Sequence, residues 1–233
     1  MNASQKIVVI PTYNEAENIR NLLPKLLEIG LDVLVVDDNS PDKTSDVVFE
    51  FSQKHPNIFL LSRKSKLGIG SAYREGYQYV LKKGYSYIIQ MDADFSHTVS
   101  DLTKMLGHIN EADVLIGSRY VSGGGTVGWK KSRMVLSKLA NKYSKILGGH
   151  NVVDSTSGFR IYTAYSLYKN GFDKTKSDGY GFQIEMTYRS ISQGLVIKEV
   201  PIIFYERQEG KSKMNLGIIF EALILVIKLR FLK

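Results

Sequence analysis

Two aspartates, Asp92 and Asp94, are the residues whose type and spacing point most directly to chemistry in this 233-residue chain. They flank Ala93 and come directly after Tyr87–Met91, a largely apolar run that predicts a buried strand. Two carboxylates two residues apart, on a chain leaving a strand, can reach one hard divalent cation. Such oxygen donors favour Mg²⁺ or Mn²⁺ held jointly with substrate phosphates. The chain has no cysteine, which excludes thiolate metal sites and a cysteine nucleophile.

A second acidic pair, Asp37 and Asp38, follows another apolar run, Val33–Val36. This second pair strengthens the prediction of a cation and phosphate site, because a single Asp-x-Asp is common in turns. His97 lies in the same predicted loop as Asp94 and is either a further metal ligand or a hydrogen-bonding residue.

The glycine-rich loops that usually bind nucleotide phosphates are absent. Pro11–Glu15 stands after the first predicted strand, where a dinucleotide oxidoreductase carries Gly-x-Gly-x-x-Gly. Lys66–Gly70 contains glycine but lacks the Gly-Lys-Ser/Thr ending of a Walker loop. A bound nucleotide must therefore be held by side chains and by the metal.

The elements that must position these residues alternate between apolar strands and amphipathic helices, which predicts a single α/β domain with a mostly parallel sheet flanked by helices. Ligands bind at the carboxyl ends of the strands in such sheets. We therefore expect the polar segments 11–15, 37–42, 92–97 and 117–119 to share one edge. The predicted strands are Lys6–Ile10, Val33–Val36, Ile58–Leu61, Tyr87–Met91, Val114–Ile116 and Phe159–Tyr162, with a further segment at Val196–Tyr205; the predicted helices are Asn14–Ile29, Thr44–Lys54, Gly70–Lys83, Leu102–Ile109 and Gly181–Gln193.

The charge is divided unevenly along the chain. The net charge of +8 separates into −1 for residues 1–100 and +9 for residues 101–233. No acidic residue lies between Asp113 and Asp154, where seven lysines and arginines occur. A basic balance suggests an anionic partner, and nucleic acid is the first candidate from net charge alone.

The last residues form the most apolar stretch. Leu216–Ile227 is interrupted by Glu221 and is shorter than the ~20 residues of a membrane-spanning helix. The apolar, basic segment 216–233 therefore predicts an amphipathic helix on a bilayer, the stub of lost membrane helices, or a helix packed on the domain. No secretory signal opens the chain, so we expect a cytoplasmic protein.

The motifs of the chain, taken together and in order, resemble family 2 glycosyltransferases of the GT-A fold. The resemblance extends from about residue 7 to about residue 215. Within the family, the chain most resembles the dolichol-phosphate or polyprenyl-phosphate mannose synthases. The segments that carry it are Val8–Glu15, Val35–Asp42, Met91–Asp94, Gly117–Val121 with Gly123-Gly124, Ser157–Arg160, Gly181–Met186, Glu206-Arg207 and Gly210–Lys213.

The resemblance implies an inverting transfer of mannose from GDP-mannose to a polyprenyl or dolichyl monophosphate, giving a β-mannosyl phosphate. A sister enzyme that transfers another hexose from a UDP-sugar is the alternative. One GT-A domain would fill residues 1–233, with a nucleotide and metal half at about 1–117 and an acceptor half at about 118–215. The partners would include a membrane surface, and either a membrane-anchoring subunit or a lost membrane segment, but no nucleic acid. The enzyme would be peripheral at the cytoplasmic face of a membrane.

The resemblance also assigns individual residues. Ser96 stands where some family members carry glutamine as a third metal ligand. A serine hydroxyl is a poorer metal ligand than a glutamine side chain. Water can therefore complete the coordination shell of the metal. Asp92 and Asp94 match the Mg²⁺ or Mn²⁺ ligands. The donor-nucleotide positions are Pro11, Tyr13, Glu15, Val36, Asp38, Asp92 and Ala93; the acceptor-phosphate positions are Arg119, Arg133 and Ser137; and Arg207 and Lys213 belong to a segment that closes over the donor diphosphate. The catalytic set is Asp94, Arg119, Arg133, Arg207 and Lys213.

The physical chemistry of this reaction agrees with the assigned residues. A lipid phosphate is already ionised at neutral pH and needs no general base. Arginine's planar fork suits a phosphate, which favours Arg119 and Arg133 on the acceptor side. Arg133 and Ser137 fall on one polar stripe of a predicted helix, and we expect the apolar Val135 and Leu139 to pack elsewhere.

Three residues or segments have open alternatives. The basic run 130–145 predicts contact with a membrane surface, although a solvated helix face is the simpler interpretation. Trp129 beside it suits an interfacial anchor or a core residue. Glu185 either orients sugar hydroxyls or is a buried structural carboxylate.

Overall fold

The computed structural model describes residues 5–179 and 181–206. Seven strands form one sheet in the order β3-β2-β1-β4-β7-β5-β8, and two short strands, β6 and β9, form a second ladder beside it. The strands are β1 (Lys6–Thr12), β2 (Asp32–Asp37), β3 (Ile58–Ser62), β4 (Tyr87–Gln90), β5 (Val114–Ser118), β6 (Gly125–Val127), β7 (Arg160–Thr163), β8 (Ile197–Pro201) and β9 (Ile203–Tyr205).

All strands of the large sheet run parallel except β7, which lies antiparallel between β4 and β5. Six carboxyl ends and the amino end of β7 therefore meet at one edge. The chain reverses its winding between β1 and β4, because β2 lies on one side of β1 and β4 on the other. Such a switch point opens a crevice for ligands at the carboxyl edge. The prediction that the four polar segments share this edge is confirmed.

Helices cover both faces of the sheet. The β1 residues alternate between the two faces, so that Val8 and Ile10 pack in one hydrophobic cluster while Ile7 and Val9 pack in the other. Burial on both faces explains why the strands are near-continuous apolar runs. The helices are α1 (Ala16–Glu28), α2 (Thr44–Lys54), α3 (Ile69–Lys82), α4 (Val99–Leu106), α5 (Lys131–Gly148), α6 (Ala164–Asn170) and α7 (Gly181–Ser192), with a 3₁₀ turn at Phe172–Lys174.

The predicted elements are present with small shifts at their ends. Helix α4 begins three residues before its predicted start, because the Thr98 side chain accepts a hydrogen bond from Asp101 N at 3.0 Å and caps the helix there. The predicted segment Val196–Tyr205 divides at Ile202 into β8 and β9. β9 leaves the large sheet to pair with β6 in parallel register, and sequence periodicity did not indicate β6.

Helix α5 differs from expectation in the direction of its faces. Its polar residues Ser137, Asn141 and Ser144 are buried, whereas Val135 and Leu139 are 56% and 58% exposed. Val135 and Leu139 do lie on a different face from the polar stripe, but that face is exposed and does not pack against the described residues. The polar stripe is the packed face because Asn141 bonds the loop before β7, where its Nδ2 donates to Thr156 Oγ1 at 3.0 Å.

No helix within the described residues is long and apolar enough to cross a membrane. Arg207, Lys213 and the segment 216–233 lie outside the described residues, so the predictions made for them stay predictions.

Candidate active site

Asp92 and Asp94 lie on a tight turn that leaves β4 at the carboxyl edge. Asp94 Oδ1 accepts a hydrogen bond from Ser96 N at 3.1 Å, and Phe95 between them has a φ of 58°. A non-glycine residue in the left-handed region is strained, so the surrounding contacts must hold it there. One such contact is the hydrogen bond that Tyr205 N donates to Ser96 O at 3.2 Å. Strand β9 therefore fastens the turn that carries both carboxylates.

His97 fixes the same turn from inside the protein. Its Nδ1 accepts a hydrogen bond from Asp92 N at 3.2 Å, and its ring stacks on Phe159 with the ring centres 4.5 Å apart. The side chain is almost fully buried, and this burial lowers the pKa of His97 to about 4. The imidazole is therefore neutral at pH 7, and of the two alternatives for His97 the structure bears out the hydrogen-bonding one.

The residues around this turn fit a hard divalent cation. Asp92 and Asp94 supply carboxylate oxygens, and Ser96 follows them but is only 2% exposed. A Cβ at Gly158 would lie 3.7 and 3.8 Å from the two carboxylate oxygens of Asp92, so glycine keeps the space before this carboxylate open. The described residues contain no group of three or more His, Cys, Asp or Glu placed around one point. A cation here would therefore complete its shell with phosphate oxygens and water, as Mg²⁺ and Mn²⁺ do.

Tyr13 and Asp38 follow the carboxyl ends of β1 and β2, beside the switch point. Arg63 Nη1 donates to Asp38 Oδ1 at 2.5 Å, and both side chains are buried. Burial raises the pKa of Asp38, and the Arg63 guanidinium opposes that rise only in part. The ammonium of Lys66 lies 3.7 Å from the centre of the Tyr13 ring. Asp38 and Tyr13 thus stand at the edge where the resemblance implies a nucleotide.

The other four residues that the resemblance assigns to the donor nucleotide differ in which of their atoms can reach a ligand. Val36 and Ala93 are 0% and 3% exposed and pack in the two hydrophobic clusters, so only their backbones can reach a ligand. Glu15 is the N-cap of α1, and there its backbone N donates to Thr44 Oγ1 at 3.0 Å and its Oε2 accepts from Asn18 Nδ2. Pro11 is half-buried within β1.

Arg119 is held by a buried carboxylate. Its Nε and Nη2 donate to the two oxygens of Asp154 at 2.7 and 2.6 Å, and Nη2 also donates to Thr156 Oγ1. Burial would raise the pKa of Asp154, but the adjacent guanidinium more than offsets this and the pKa is lowered. Two of the three guanidinium nitrogens of Arg119 are therefore engaged within the protein. Arg119 therefore contributes positive charge to the site. Its paired N–H groups are bound to Asp154 and do not form a fork directed at a phosphate.

Arg133 and Trp129 are in contact where the chain passes from β6 into α5. The Arg133 guanidinium carbon lies 4.0 Å from the centre of the Trp129 ring, and its Nη1 donates to Glu206 Oε1 at 3.0 Å. The guanidinium carbon of Arg119 lies 5.2 Å from the same ring, so two arginines converge on one indole. Trp129 is thus neither an exposed anchor nor a residue of the main core. Ser137 Oγ accepts a hydrogen bond from the Tyr120 hydroxyl at 2.7 Å, and the Tyr120 ring centre lies 5.3 Å from the Arg119 guanidinium carbon.

Aromatic contacts connect the two halves of the site. Phe204 on β9 lies edge-on to both His97 and Trp129, with ring centres 5.4 Å apart in each pair. The carboxylate turn and the two arginines are therefore parts of one packed unit.

Sequence reasoning missed Asp154, Arg63 and Glu206. Asp154 is the first acidic residue after the long segment that has none. An acid isolated among so many basic residues was the available signal that it is the buried partner of one of them. Glu185 also finds its role in the structure, because its Oε2 accepts from the backbone N of Lys176 and Ser177 and its Oε1 from Arg189 Nε. It is the structural carboxylate of the two alternatives.

Comparisons with known proteins agree with this architecture. Residues 7–171 match the family model described as glycosyl transferase family 2. The chain is 42% identical over 224 residues to the undecaprenyl-phosphate mannosyltransferase of Micrococcus luteus, which covers 95% of this chain and 92% of that protein. It is equally identical over 224 residues to the polyprenol monophosphomannose synthase of Mycolicibacterium smegmatis, covering 94% of this chain and 84% of that protein.

Solved structures show the same fold at lower identity. The mannosyltransferase PcManGT of Pyrobaculum calidifontis, in complex with GDP-Man and Mn²⁺, aligns with a TM-score of 0.59 at 16% identity, over 89% of this chain and 58% of that one. GalNAc-T7 with UDP, GalNAc and Mn²⁺ aligns with a TM-score of 0.60 at 13% identity, over 96% and 47% of the two chains. The prediction of a single GT-A domain with a mostly parallel sheet is confirmed. With the family model matching most of the chain, and two relatives at 42% identity, this protein belongs to glycosyl transferase family 2.

Proposed function

We propose that this protein transfers mannose from GDP-mannose to the phosphate of a polyprenyl monophosphate with inversion at the anomeric carbon. The proposal rests on one observation: the turn that carries Asp92 and Asp94 lies in the same packed unit as two arginines, Arg119 and Arg133. The names of the two relatives at 42% identity support mannose as the sugar and a polyprenyl phosphate as the acceptor.

The reaction needs negative charge to be stabilised on both sides of the sugar. An oxygen of the acceptor phosphate attacks the anomeric carbon, the bond from that carbon to the GDP oxygen breaks, and GDP leaves with the electron pair. Arg133 holds the attacking phosphate, and Arg119 adds positive charge from behind it while its fork stays bound to Asp154. Asp38 and Tyr13 orient the nucleotide. The attacking oxygen carries no proton, so no side chain has to remove one.

Mg²⁺ or Mn²⁺ at Asp92 and Asp94 would neutralise the developing charge of the departing diphosphate. Ser96 is the candidate third ligand, with water as its substitute. The resemblance adds Arg207 and Lys213 as cations that assist the same leaving group.

Nucleotide preference tests the donor assignment. With Mn²⁺ present, we expect GDP at about 100 times its Kd to raise the melting temperature by roughly 5–10 °C, and UDP to raise it little. Purified protein should then consume GDP-mannose and not UDP-glucose when a polyprenyl phosphate is supplied. A preference for UDP and transfer from UDP-glucose would instead establish the hexosyltransferase alternative.

We further propose that the exposed face of α5 rests on an anionic membrane surface, placing the enzyme at the cytoplasmic face of a membrane. This face combines three apolar side chains, including Ile146 at 63% exposure, with lysines on either side. A helix with this combination lies in the interface and buries its apolar residues among the lipids. The exposed residues are Lys131, Val135, Lys138, Leu139, Lys142, Lys145 and Ile146.

Vesicle binding tests this face. Replacing Lys138, Lys142 and Lys145 together by glutamine should weaken binding to anionic phospholipid vesicles by about 100-fold, because each cation near such a surface contributes ~1 kcal/mol. The matched control replaces Lys54, Lys82 and Lys169, which are exposed elsewhere. Equal loss in both triple variants would show a non-specific charge effect. Salt-sensitive nucleic-acid binding that survives the first triple variant would contradict the membrane assignment.

A further inference from the structure

A buried carboxamide with an unpaired oxygen lies beside the turn that carries Asp92. Gln183, in the first turn of α7, is 6% exposed, and its Oε1 is buried with no hydrogen-bond partner among the described residues. Its Nε2 lies 3.8 Å from the position that a Cβ would take at Gly158, and the two carboxylate oxygens of Asp92 lie 3.7 and 3.8 Å from that position. Gln183 and Asp92 therefore border one small space at the carboxyl edge of the sheet.

Buried polar side chains hold the backbone at this space. Gln90 Nε2 donates to Gly158 O at 2.8 Å. Arg160 Nε donates to Ser157 O at 2.8 Å, and its Nη2 donates to Ser155 O at 2.7 Å. Gln90 and Arg160 are both 0% exposed, so three carbonyls of the loop before β7 are fixed from within the protein. The loop keeps its shape, and the space in front of Gly158 stays open.

Gln183 is itself held in place by its neighbours. The ring of Phe182 stacks on Tyr73 with the ring centres 5.8 Å apart, and Gln183 O accepts from Thr187 Oγ1 at 2.9 Å. Glu185 fastens the same helix to the segment before it through the backbone N of residues 176 and 177. A buried acceptor without a partner is rare in folded proteins, because it has lost its hydrogen bond to water. The unpaired Oε1 of Gln183 therefore points to a partner supplied by a ligand.

A hydroxyl group is the ligand chemistry that fits this space. An ionised carboxylate, such as that of Asp92, only accepts hydrogen bonds, whereas the carboxamide of Gln183 has one accepting and one donating end. A fully ionised phosphate has no proton to donate to Gln183 Oε1, and the Asp92 carboxylate would repel it. A neutral hydroxyl can donate to one of these side chains and accept from the other. Sugars carry several such hydroxyls on one ring.

The strand order shows which part of a sugar nucleotide would reach this space. Tyr13 and Asp38 follow β1 and β2, the turn with Asp92 follows β4, and Gly158 precedes β7, which is the next strand after β4 in the sheet. Nucleotide, diphosphate and sugar are joined in that order in the donor. With the nucleotide at β1 and β2 and the diphosphate at the β4 turn, the sugar would lie toward β7 and Gln183.

We propose that Gln183 contacts a hydroxyl of the sugar carried by the donor nucleotide, in the space that Gly158 leaves open beside Asp92. This assignment rests on the proposed function for the identity of the donor. It adds to that function a residue that orients the sugar without contacting the nucleotide.

Paired affinities for GDP and GDP-mannose, measured by calorimetry with Mn²⁺ and without acceptor, test the contact. Gln183→Leu should weaken binding of GDP-mannose about 5- to 10-fold and leave binding of GDP unchanged, because one hydrogen bond to the sugar is lost. The matched control is Gln193→Leu, an exposed glutamine just after α7, which should behave as the wild type. Equal weakening of GDP and GDP-mannose would indicate a nucleotide or metal contact and overturn the assignment to the sugar.

Gly158→Ala fills the same space without straining the fold. The nearest neighbours of the added Cβ would be the side chains of Asp92 and Gln183, at 3.7 Å or more, and Gly158 is not among the glycines with a positive φ. We expect this variant to keep the wild-type melting temperature and affinity for GDP but to bind GDP-mannose about 10-fold more weakly or worse. Wild-type affinity for GDP-mannose would show that the sugar lies elsewhere.

Donor analogues identify the hydroxyl that Gln183 contacts. Analogues of GDP-mannose that each lack a single sugar hydroxyl are compared in the wild type and in Gln183→Leu. Loss of the contacted hydroxyl should weaken binding to the wild type about as much as Gln183→Leu does, and the two changes together should cost no more than either alone. Additive losses for every analogue would contradict the contact.

The results also separate this assignment from the proposed function. If the wild type transfers mannose while Gln183→Leu and Gly158→Ala match Gln193→Leu in both affinities, the inference is wrong and the function stands. If the two variants weaken GDP-mannose selectively but no mannose reaches a polyprenyl phosphate, the site is supported and the function is wrong. If the wild type binds UDP-glucose in place of GDP-mannose, the donor is wrong, and the same comparison between UDP and UDP-glucose decides whether Gln183 contacts the sugar.

Discussion

Replacing Asp94 by alanine is expected to reduce mannose transfer by about 10³-fold or more, because stabilisation of the leaving diphosphate contributes several kcal/mol to the transition state. Asp94 lies on the turn after β4, half-exposed at the ligand edge. The fold should largely tolerate the change, because the hydrogen bond that Ser96 N donates to Asp94 Oδ1 is worth only about 1 kcal/mol. The measurement is steady-state turnover, together with calorimetry of Mn²⁺ binding in the presence of GDP.

Two further variants make the Asp94 result specific. Asp94→Asn keeps an oxygen for the Ser96 hydrogen bond but removes the charge, so it should lose activity almost as fully as Asp94→Ala. Asp173→Ala removes an exposed carboxylate elsewhere and should retain wild-type turnover. Wild-type activity in Asp94→Asn would overturn the assignment of this carboxylate to a cation.

Replacing Asp154 by asparagine is expected to lower the free energy of unfolding by about 3–5 kcal/mol, the usual cost of removing one partner from a buried ion pair. Asp154 is fully buried, and Arg119 is 8% exposed. The Asp154 carboxylate accepts three hydrogen bonds from Arg119, one of them from its backbone N at 2.9 Å. It also accepts from Asn141 Nδ2 and Thr156 Oγ1. Urea denaturation measures the effect, with Asp173→Asn as the exposed control.

A double variant separates the buried charge from the rest of the contact. Arg119→Met with Asp154→Leu removes both charges and should recover much of the stability lost in Asp154→Asn, because well-packed apolar residues can replace a buried pair. Asp154→Asn within 1 kcal/mol of the wild type would show that the pair is dispensable for folding.

The same pair predicts how stability depends on pH. The pKa of Asp154 is lowered from its ordinary value of 3.8, because the Arg119 guanidinium outweighs the effect of burial. The folded state therefore binds this proton less readily than the unfolded chain. Its contribution is fully present above pH 3.8 and is lost as the pH falls through the folded value. The wild type should lose stability more steeply in this acid range than Asp154→Asn does.

Local signals in the sequence were enough to predict most of the elements. The near-continuous apolar run of β1 and the apolar spacing of α1 depend on residues close together in the chain, and both elements are present with small shifts at their ends. The hydrophobic pattern and turn residues also placed the carboxyl ends of β1, β2, β4 and β5 at one edge, and with them the Asp92–Asp94 turn.

The sequence by itself determined the α/β class and the sheet edge at which the candidate residues meet, while the roles that the resemblance gives to those residues stay predictions. Only the tertiary structure decided which charges are paired, because Arg119 meets Asp154 across 35 positions and Arg133 meets Glu206 across 73. It also decided that the apolar residues of α5 face outward and that β9 leaves the sheet to hold the turn after β4. The periodicity of a helix or strand shows which side chains share a face. It does not show which other element packs on that face, because that element comes from a distant part of the chain.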